Sequence, residues 1–307
     1  MIKYTYIIPH KDSLELLLRC INSIEDIANS QIIVIDDNSN EQRELKLMFE
    51  SSSSVELILS DHNIGAGAAR NEGLKKAKGK WVLFADADDF FNKGYIEAID
   101  KYYYSQNDIV VYDTNSRFSD TLQLTENRFP NWSNIIAQRN FDKSKWDIPV
   151  VWGKLYSREF LKKNSLWFEE VFASNDVLFC YKANLLANNY QIDDFVLYCS
   201  TKNQKSLCYS INEKNIKCRL NVLQRTNALL RAIGKNKYQY NIFSLVFLFK
   251  RIGCKKFLQE YIKYLKSTPV NNLYWDLIHT VSKCISRLCK FKEKKINQSV
   301  SNKAYFN

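Results

Sequence analysis

Three carboxylates within four residues, Asp86, Asp88 and Asp89, follow directly on the apolar run Trp81-Val82-Leu83-Phe84. Acids crowded in this way repel one another. A divalent cation bound by oxygen ligands relieves that repulsion and still leaves positions open for substrate phosphates. A second acidic pair, Asp36-Asp37, closes the apolar run Ile32-Ile33-Val34-Ile35. D-x-D also occurs in solvated turns, so the elements that carry these acids decide what they mean.

In residues 1–112 short apolar runs alternate with stretches of helical periodicity, the pattern of an α/β chain with a mostly parallel sheet. Strands are expected near 4–9, 31–36, 55–59, 80–85 and 108–112, and helices near 13–28, 41–50, 66–78 and 93–104. The first helix has Asp12 or Ser13 as its N-cap and a stripe of Leu14, Leu17, Leu18, Ile21 and Ile24; Ser39 or Asn40 is the expected cap of the second. The first four strands run into polar residues: Pro9-His10-Lys11-Asp12, Asp36-Asp37-Asn38-Ser39, Asp61-His62-Asn63 and the acid triplet. Ligands of open α/β sheets bind at such a carboxyl edge.

Gly65-Ala66-Gly67 is not a dinucleotide fingerprint, because it follows the third strand and Arg70 stands where the third glycine belongs. What it does offer is a small-residue helix N-terminus beside an arginine, suited to a diphosphate. Close helix packing through Ala66, Ala68 and Ala69 explains the same residues.

A chain of 307 residues with 46% apolar content supports a main domain with an appendage. Charge divides unevenly: residues 1–200 carry 22 Lys+Arg against 29 Asp+Glu, net −7, and residues 201–307 carry 22 against 4, net +18. The basic tail shows helical stretches at 216–233, 242–249 and 257–265, so it is expected either to lie on an anionic membrane surface or to pack as a helical bundle with a basic outer face. Eight scattered cysteines without a C-x-x-C motif point to reduced, structural thiols. There is no apolar run of ~20 residues and no leader pattern, and the expected location is the cytoplasm.

Taken together, these segments resemble the glycosyltransferase family 2 enzymes of GT-A fold. The residues that carry the resemblance are Ile7-Ile8-Pro9, Ile33-Val34-Ile35-Asp36-Asp37-Asn38-Ser39, Asn63-Ile64-Gly65 with Ala69-Arg70-Asn71-Glu72-Gly73, and Gly79 through Asp89. Further along, Val151-Trp152-Gly153-Lys154-Leu155-Tyr156, Leu166-Trp167-Phe168 and Asn175-Asp176-Val177-Leu178-Phe179 look like the stretch around that family's catalytic acid. The resemblance spans about residues 3 to 210. It implies a Rossmann-like, mostly parallel central sheet flanked by helices, followed by a C-terminal helical appendage. The implied domains are a GT-A unit over 1–210, with a nucleotide-sugar half (1–112) and an acceptor half (113–210), and a basic helical region over 211–307.

By the same resemblance Asp37 accepts the N–H of a uracil ring, Pro9, Gly65, Arg70 and Asp86 line the nucleotide, and Asp86, Asp88 and Asp89 bind Mn²⁺ or Mg²⁺. Asp176 is the implied base that deprotonates an acceptor hydroxyl, giving inversion; as an alternative, it is the N-cap of the helix that begins at Val177. Asn175 and Trp152 fall on the acceptor side, where Trp152 is either a sugar platform or a core aromatic. Lys202 to Lys205 could close over the diphosphate. The chain departs from the family pattern in having Lys11 and Asp12 where a Tyr-Asn pair is usual, and Asn175 where a Glu precedes the base.

The expected function is transfer of a sugar, from a UDP-sugar donor, to a glycan or lipid-linked acceptor in surface polysaccharide synthesis such as capsule, at the inner membrane face. Its competitors are a nucleotidylyltransferase, for which His10-Lys11-Asp12-Ser13 lacks the needed glycines, and a protein acting through its basic tail on nucleic acid or membrane. No nucleic-acid partner is expected.

Overall fold

The computed structural model describes residues 2–50, 52, 54–202, 212–240, 253–267, 270 and 273–274. The chain divides into two compact units, Met1–Ser210 and Ile211–Asn307.

Four parallel strands form half of the first unit's sheet: β1 (Tyr4–His10), β2 (Ser30–Asp36), β3 (Val55–Leu59) and β4 (Trp81–Phe84), ordered β3-β2-β1-β4. Every residue of β2 and β4 is buried, which is why both read as apolar runs rather than alternating patterns. His10 pairs with Asp36, and Ile7 with Phe84. This register brings the segments after β1, β2 and β4 out at one edge.

Helices α1 (Leu14–Asn22), α2 (Gln42–Phe49), α3 (Gly65–Lys76) and α4 (Tyr95–Asp100) connect this region. α1 is shorter than its periodicity suggests, because the chain turns after Asn22 and Asp26 takes a left-handed conformation (φ 51°). Glu41, not Ser39 or Asn40, occupies the N-cap of α2. The Ser39 hydroxyl is bound to Asp36, and the Asn40 amides donate to Asp12.

β5 (Phe90–Phe91), β6 (Ile109–Phe118), β7 (Leu124–Thr125), β8 (Lys154–Ser157) and β9 (Tyr190–Lys202) complete the sheet, in the order β3-β2-β1-β4-β8-β6-β9-β5 with β7 on β6. β8 is antiparallel to β4 and β6, whereas β9 runs parallel to β6 and antiparallel to β5. The parallel half is therefore extended by a mixed half. β6 runs well past residue 112 because a register irregularity at Tyr112–Thr114 lets it keep pairing with β9. Around this half lie α5 (Trp132–Ala137), α6 (Phe141–Trp146), α7 (Arg158–Lys163) and α8 (Val177–Leu186).

α3 is seated by glycines. A Cβ at Gly73 would stand 2.5 Å from Ile7 of β1, and one at Gly67 would stand 2.1 Å from the Glu169 carbonyl oxygen. Close packing thus runs through Gly67, Ala69 and Gly73, which are buried, and not through Ala66 and Ala68, which are only partly covered.

In the second unit α9 (Glu213–Ala232) begins at an Asn212 side chain that accepts from the Asn215 N–H, and α10 covers Cys254–Ser267. Glu213 receives both Lys217 and Lys256, which hold its carboxyl down at about 2. The expected helix at 242–249 and residues 203–205 of the expected closing segment lie outside the described residues. Among the described residues no helix is long and apolar enough to cross a membrane, and five cysteines are free thiols.

Candidate nucleotide and metal site

The acid triplet forms a tight turn after β4, with the Asp89 N–H donating to the Asp86 carbonyl (3.0 Å). Ligand oxygens of Asp86, Asp88 and Asp89 lie within 4.8 Å of one another. Their environments differ. Asp86 and Asp88 keep access to solvent, whereas Asp89 is 1% exposed and accepts from the Thr201 N–H (2.6 Å) and the Tyr198 hydroxyl (3.0 Å). The Asp86 N–H donates to the same Tyr198 hydroxyl, and the Asp88 carbonyl accepts from Thr201 Oγ1 and the Arg19 guanidinium. Strand β9 and helix α1 therefore fix the turn from two sides. Burial and the neighbouring Asp86 push the Asp88 carboxyl up to about 6, and burial with Asp88 and Asp86 raises Asp89. An all-oxygen donor set of three crowded carboxylates suits a hard divalent cation, so these residues fit Mn²⁺ or Mg²⁺.

At the ends of β1 and β2 a buried network sets the geometry. His10 Nδ1 lies 2.9 Å from Asp36 Oδ1; the Ser13 N–H donates to Nε2, which places the ring proton on Nδ1. Burial alone would raise Asp36, but hydrogen bonds from His10, Ser39 and Gln42 outweigh it and hold the carboxyl at about 2. Asp37, next in the chain, is 8% exposed, and its Oδ1 accepts from the Ile64 and Gly65 N–H groups at the start of α3. Lys11 donates to the Asp37 carbonyl (2.8 Å) and to Asn63 Oδ1, tying the β2 and β3 loops together. Pro9 is half-buried in β1 beside Ile35.

Because the folded-state pKa of Asp36 is depressed, its contribution to stability is present above the unfolded value near ~3.9 and is lost as pH falls through about 2. Asp36→Asn should therefore cost about 2 kcal/mol at neutral pH. In urea titrations the gap to the parent should narrow between pH ~4 and ~2. A gap that stays constant over that range would refute the assignment.

Arg70, on α3, is 6% exposed and bridges two parts of the site. It donates to Asp86 Oδ1 (2.6 Å) and to Asn175 Oδ1 (2.8 Å), and its guanidinium lies over the Phe168 ring. Asn71 clamps the same segment through paired hydrogen bonds with the Phe168 backbone. Phe168 and Phe179 stack with centroids 4.0 Å apart against Phe84 of β4. Asp176 stands at the N-cap position of α8 but makes no side-chain cap hydrogen bond. Burial raises its pKa, and the opposing charge of Arg70 does not cancel that effect.

Trp152 is 2% exposed and stacked with both Trp132 and Tyr198, each at 5.3 Å. It presents no open indole face to a sugar, and its part here is packing. The structure thus gathers Asp86, Asp88, Asp89, Arg70, Asn175 and Asp176, and places Pro9, Asp37 and Gly65 at the same sheet edge.

Sequence reasoning missed three participants, Arg19, Tyr198 and Thr201, which meet the acid turn only through long-range pairing. Arg128, whose backbone N–H donates to Ser116, has a charge that opposes the burial shift of both Asp88 and Asp176.

A parallel sheet with an acid turn after its fourth strand and a mixed extension beyond it defines the GT-A class, and solved structures share the fold. The Staphylococcus aureus TarS 1–349 structure in complex with UDP-GlcNAc superposes with a TM-score of 0.60 at 20% identity, over 89% of this chain and 78% of that one. The complex of the same fragment with UDP gives 0.57 at 22% identity, over 81% and 71%. The family model "Glycosyl transferase family 2" matches residues 5–164, and the chain belongs to that family. Residues 5–164 are thus a glycosyltransferase domain. Among curated proteins, the poly(ribitol-phosphate) beta-N-acetylglucosaminyltransferase TarS of S. aureus (strain Mu50) is 28% identical over 217 residues, 66% of this chain. The match covers only 36% of that relative's length. The putative glycosyltransferase EpsH of Bacillus subtilis (strain 168) is 21% identical over 243 residues, 76% of this chain and 71% of EpsH.

Proposed function

We propose that the protein is an inverting transferase that moves a sugar from a UDP-sugar to a hydroxyl of a glycan or lipid-linked acceptor in the synthesis of a surface polysaccharide such as capsule. The observation that carries this reading is the Arg70 bridge, which joins Asp86 on the donor side to Asn175, the neighbour of Asp176, in one hydrogen-bonded unit. The UDP and UDP-GlcNAc complexes of TarS support the choice of nucleotide.

Asp37 selects the base: with Oδ1 engaged by α3, its second oxygen accepts the uracil N–H, which an ionised carboxylate can do and a donor cannot. Pro9 borders the base, and the Gly65 end of the 12-residue α3 faces the diphosphate. Asp86, Asp88 and Asp89 would hold Mn²⁺ or Mg²⁺, and Asp89 also props the turn through its bonds from Tyr198 and Thr201. The cation when bound supplies charge neutralisation to the departing diphosphate. Arg70 and Arg128 add fixed positive charge around the same region. Asp176 takes the proton of the acceptor hydroxyl, and its burial-raised pKa strengthens it as a base. Asn175 orients Arg70 through the carbonyl oxygen of a neutral amide.

The enzyme would work in the cytoplasm, at the inner face of the membrane. α10 supports attachment there: Leu258, Ile262 and Leu265 are exposed at helical spacing beside Lys255 and Lys266.

The test is thermal stabilisation by UDP, GDP and CDP with and without Mn²⁺. UDP with Mn²⁺ at ~100 Kd should stabilise by about 2.7 kcal/mol, and Asp88→Asn should abolish the metal-dependent part. No shift with UDP, or a shift indifferent to Asp88→Asn, would overturn the reading.

A further inference from the structure

On the opposite edge of the sheet, where β1 and β4 begin, lies a cavity of about 630 Å³ that none of the nucleotide-site residues lines. Its charged lining is Lys78, Lys80, Arg158 and Lys163 against Asp108 and Glu159. This sign runs against the domain, since residues 1–200 are net −7. The charges are also unevenly paired. Asp108 already accepts from the Asn188 and Asn189 N–H groups. Lys80 is anchored on the carbonyls of Tyr103 and Ser105, and Arg158 Nε on that of Gly79. Among the described residues the ammonium groups of Lys78 and Lys163 and the Nη atoms of Arg158 have no partner.

The uncharged lining fits a polyol. Gln106, Asn107 and Asn188 contribute amides that can donate to and accept from hydroxyls. Unpaired cations supply recognition of an anion, by fork for Arg158 and by point charge for the lysines.

We infer that this cavity is a second binding site, separate from the nucleotide site, for a glycan or polyol chain bearing phosphodiester or carboxylate groups. The cations take the anion, and the amides take the hydroxylated backbone. The site does not depend on the proposed donor chemistry, so it can be tested with the nucleotide site occupied.

The experiment is hydrogen–deuterium exchange on the full chain, saturated with UDP and Mn²⁺, in the presence of a glycerol-phosphate oligomer, an oligoglucuronate of equal charge, maltohexaose or inorganic phosphate. The expected result is protection of residues 103–108 and 186–189 by one or both anionic oligomers, which also identifies the preferred anion. A double variant, Lys78→Gln with Lys163→Gln, changes only exposed, unpaired side chains and should weaken that binding by about tenfold or more. Protection confined to 211–307 would assign the binding to the basic tail and overturn the inference, as would protection unchanged in the double variant or no protection by either oligomer. Equal protection by inorganic phosphate would overturn the glycan assignment in favour of a plain anion site, and equal protection by maltohexaose would overturn the role of charge.

Discussion

Replacing Asp176 with Asn is expected to lower sugar transfer by about 10²- to 10⁴-fold while leaving UDP affinity unchanged. The amide keeps the size of the side chain and its place before α8 but cannot accept the hydroxyl proton. Stability should not fall. Burial raises the pKa of this carboxyl in the folded protein, so folding disfavours its ionised form at neutral pH, and removing the charge is neutral or stabilising. The absence of a side-chain cap bond removes the other route to destabilisation. Turnover with a UDP-sugar, UDP affinity and the melting temperature, measured together, check this. A variant that turns over like the parent would remove Asp176 from the chemistry, and one that melts well below it would return the residue to a capping role.

Gly67→Ala should have an effect of comparable size by a different route. The added methyl would meet the Glu169 carbonyl oxygen at 2.1 Å and Asn175 Cβ at 3.0 Å, and the first of these is backbone that cannot swing aside. Either α3 lifts from the sheet or the 169–176 segment moves. The second response breaks the Arg70–Asn175 bond and shifts Asp176. Overpacking of this kind costs about 1–3 kcal/mol, and a displacement of ~1 Å in a catalytic group costs about 10²-fold in rate. Gly94→Ala is the control. Gly94 has φ 81° and open space around its Cβ, so it should show about 1–2 kcal/mol of backbone strain without the loss of rate that collision brings. Equal activities for the two variants would show that the contact does not position the base.

Strands β2 and β4 were legible because they are buried throughout and run into acids, a pattern that the order of residues displays. The acid turn, Asp37 and the Asn175-Asp176 pair were legible as motifs. Helix ends were less so, because the local competition of side chains for backbone groups decides them: Ser39 is a good N-cap residue, but Asp36 claims its hydroxyl. Trp152 shows a further limit, since only the stacked Trp132 and Tyr198 distinguish a core indole from a sugar platform. The partners of the acid turn were invisible for a topological reason. Tyr198 lies 109 positions beyond Asp89, and nothing near either residue announces the pairing of β5 with β9.

That pairing bears on how the protein comes to exist. The turn that gathers the three carboxylates is complete only when β9, the last strand of the first unit, has docked between β5 and β6. A nascent chain that has emerged only as far as residue 189 carries every acid of the triplet but lacks the hydroxyl and amide groups that set their spacing. Closure over so long a stretch of sequence comes late in folding. The spacing of the three carboxylates should therefore be set only in the last step of domain folding, well after the loops that carry Pro9, Asp37 and Gly65 have been made.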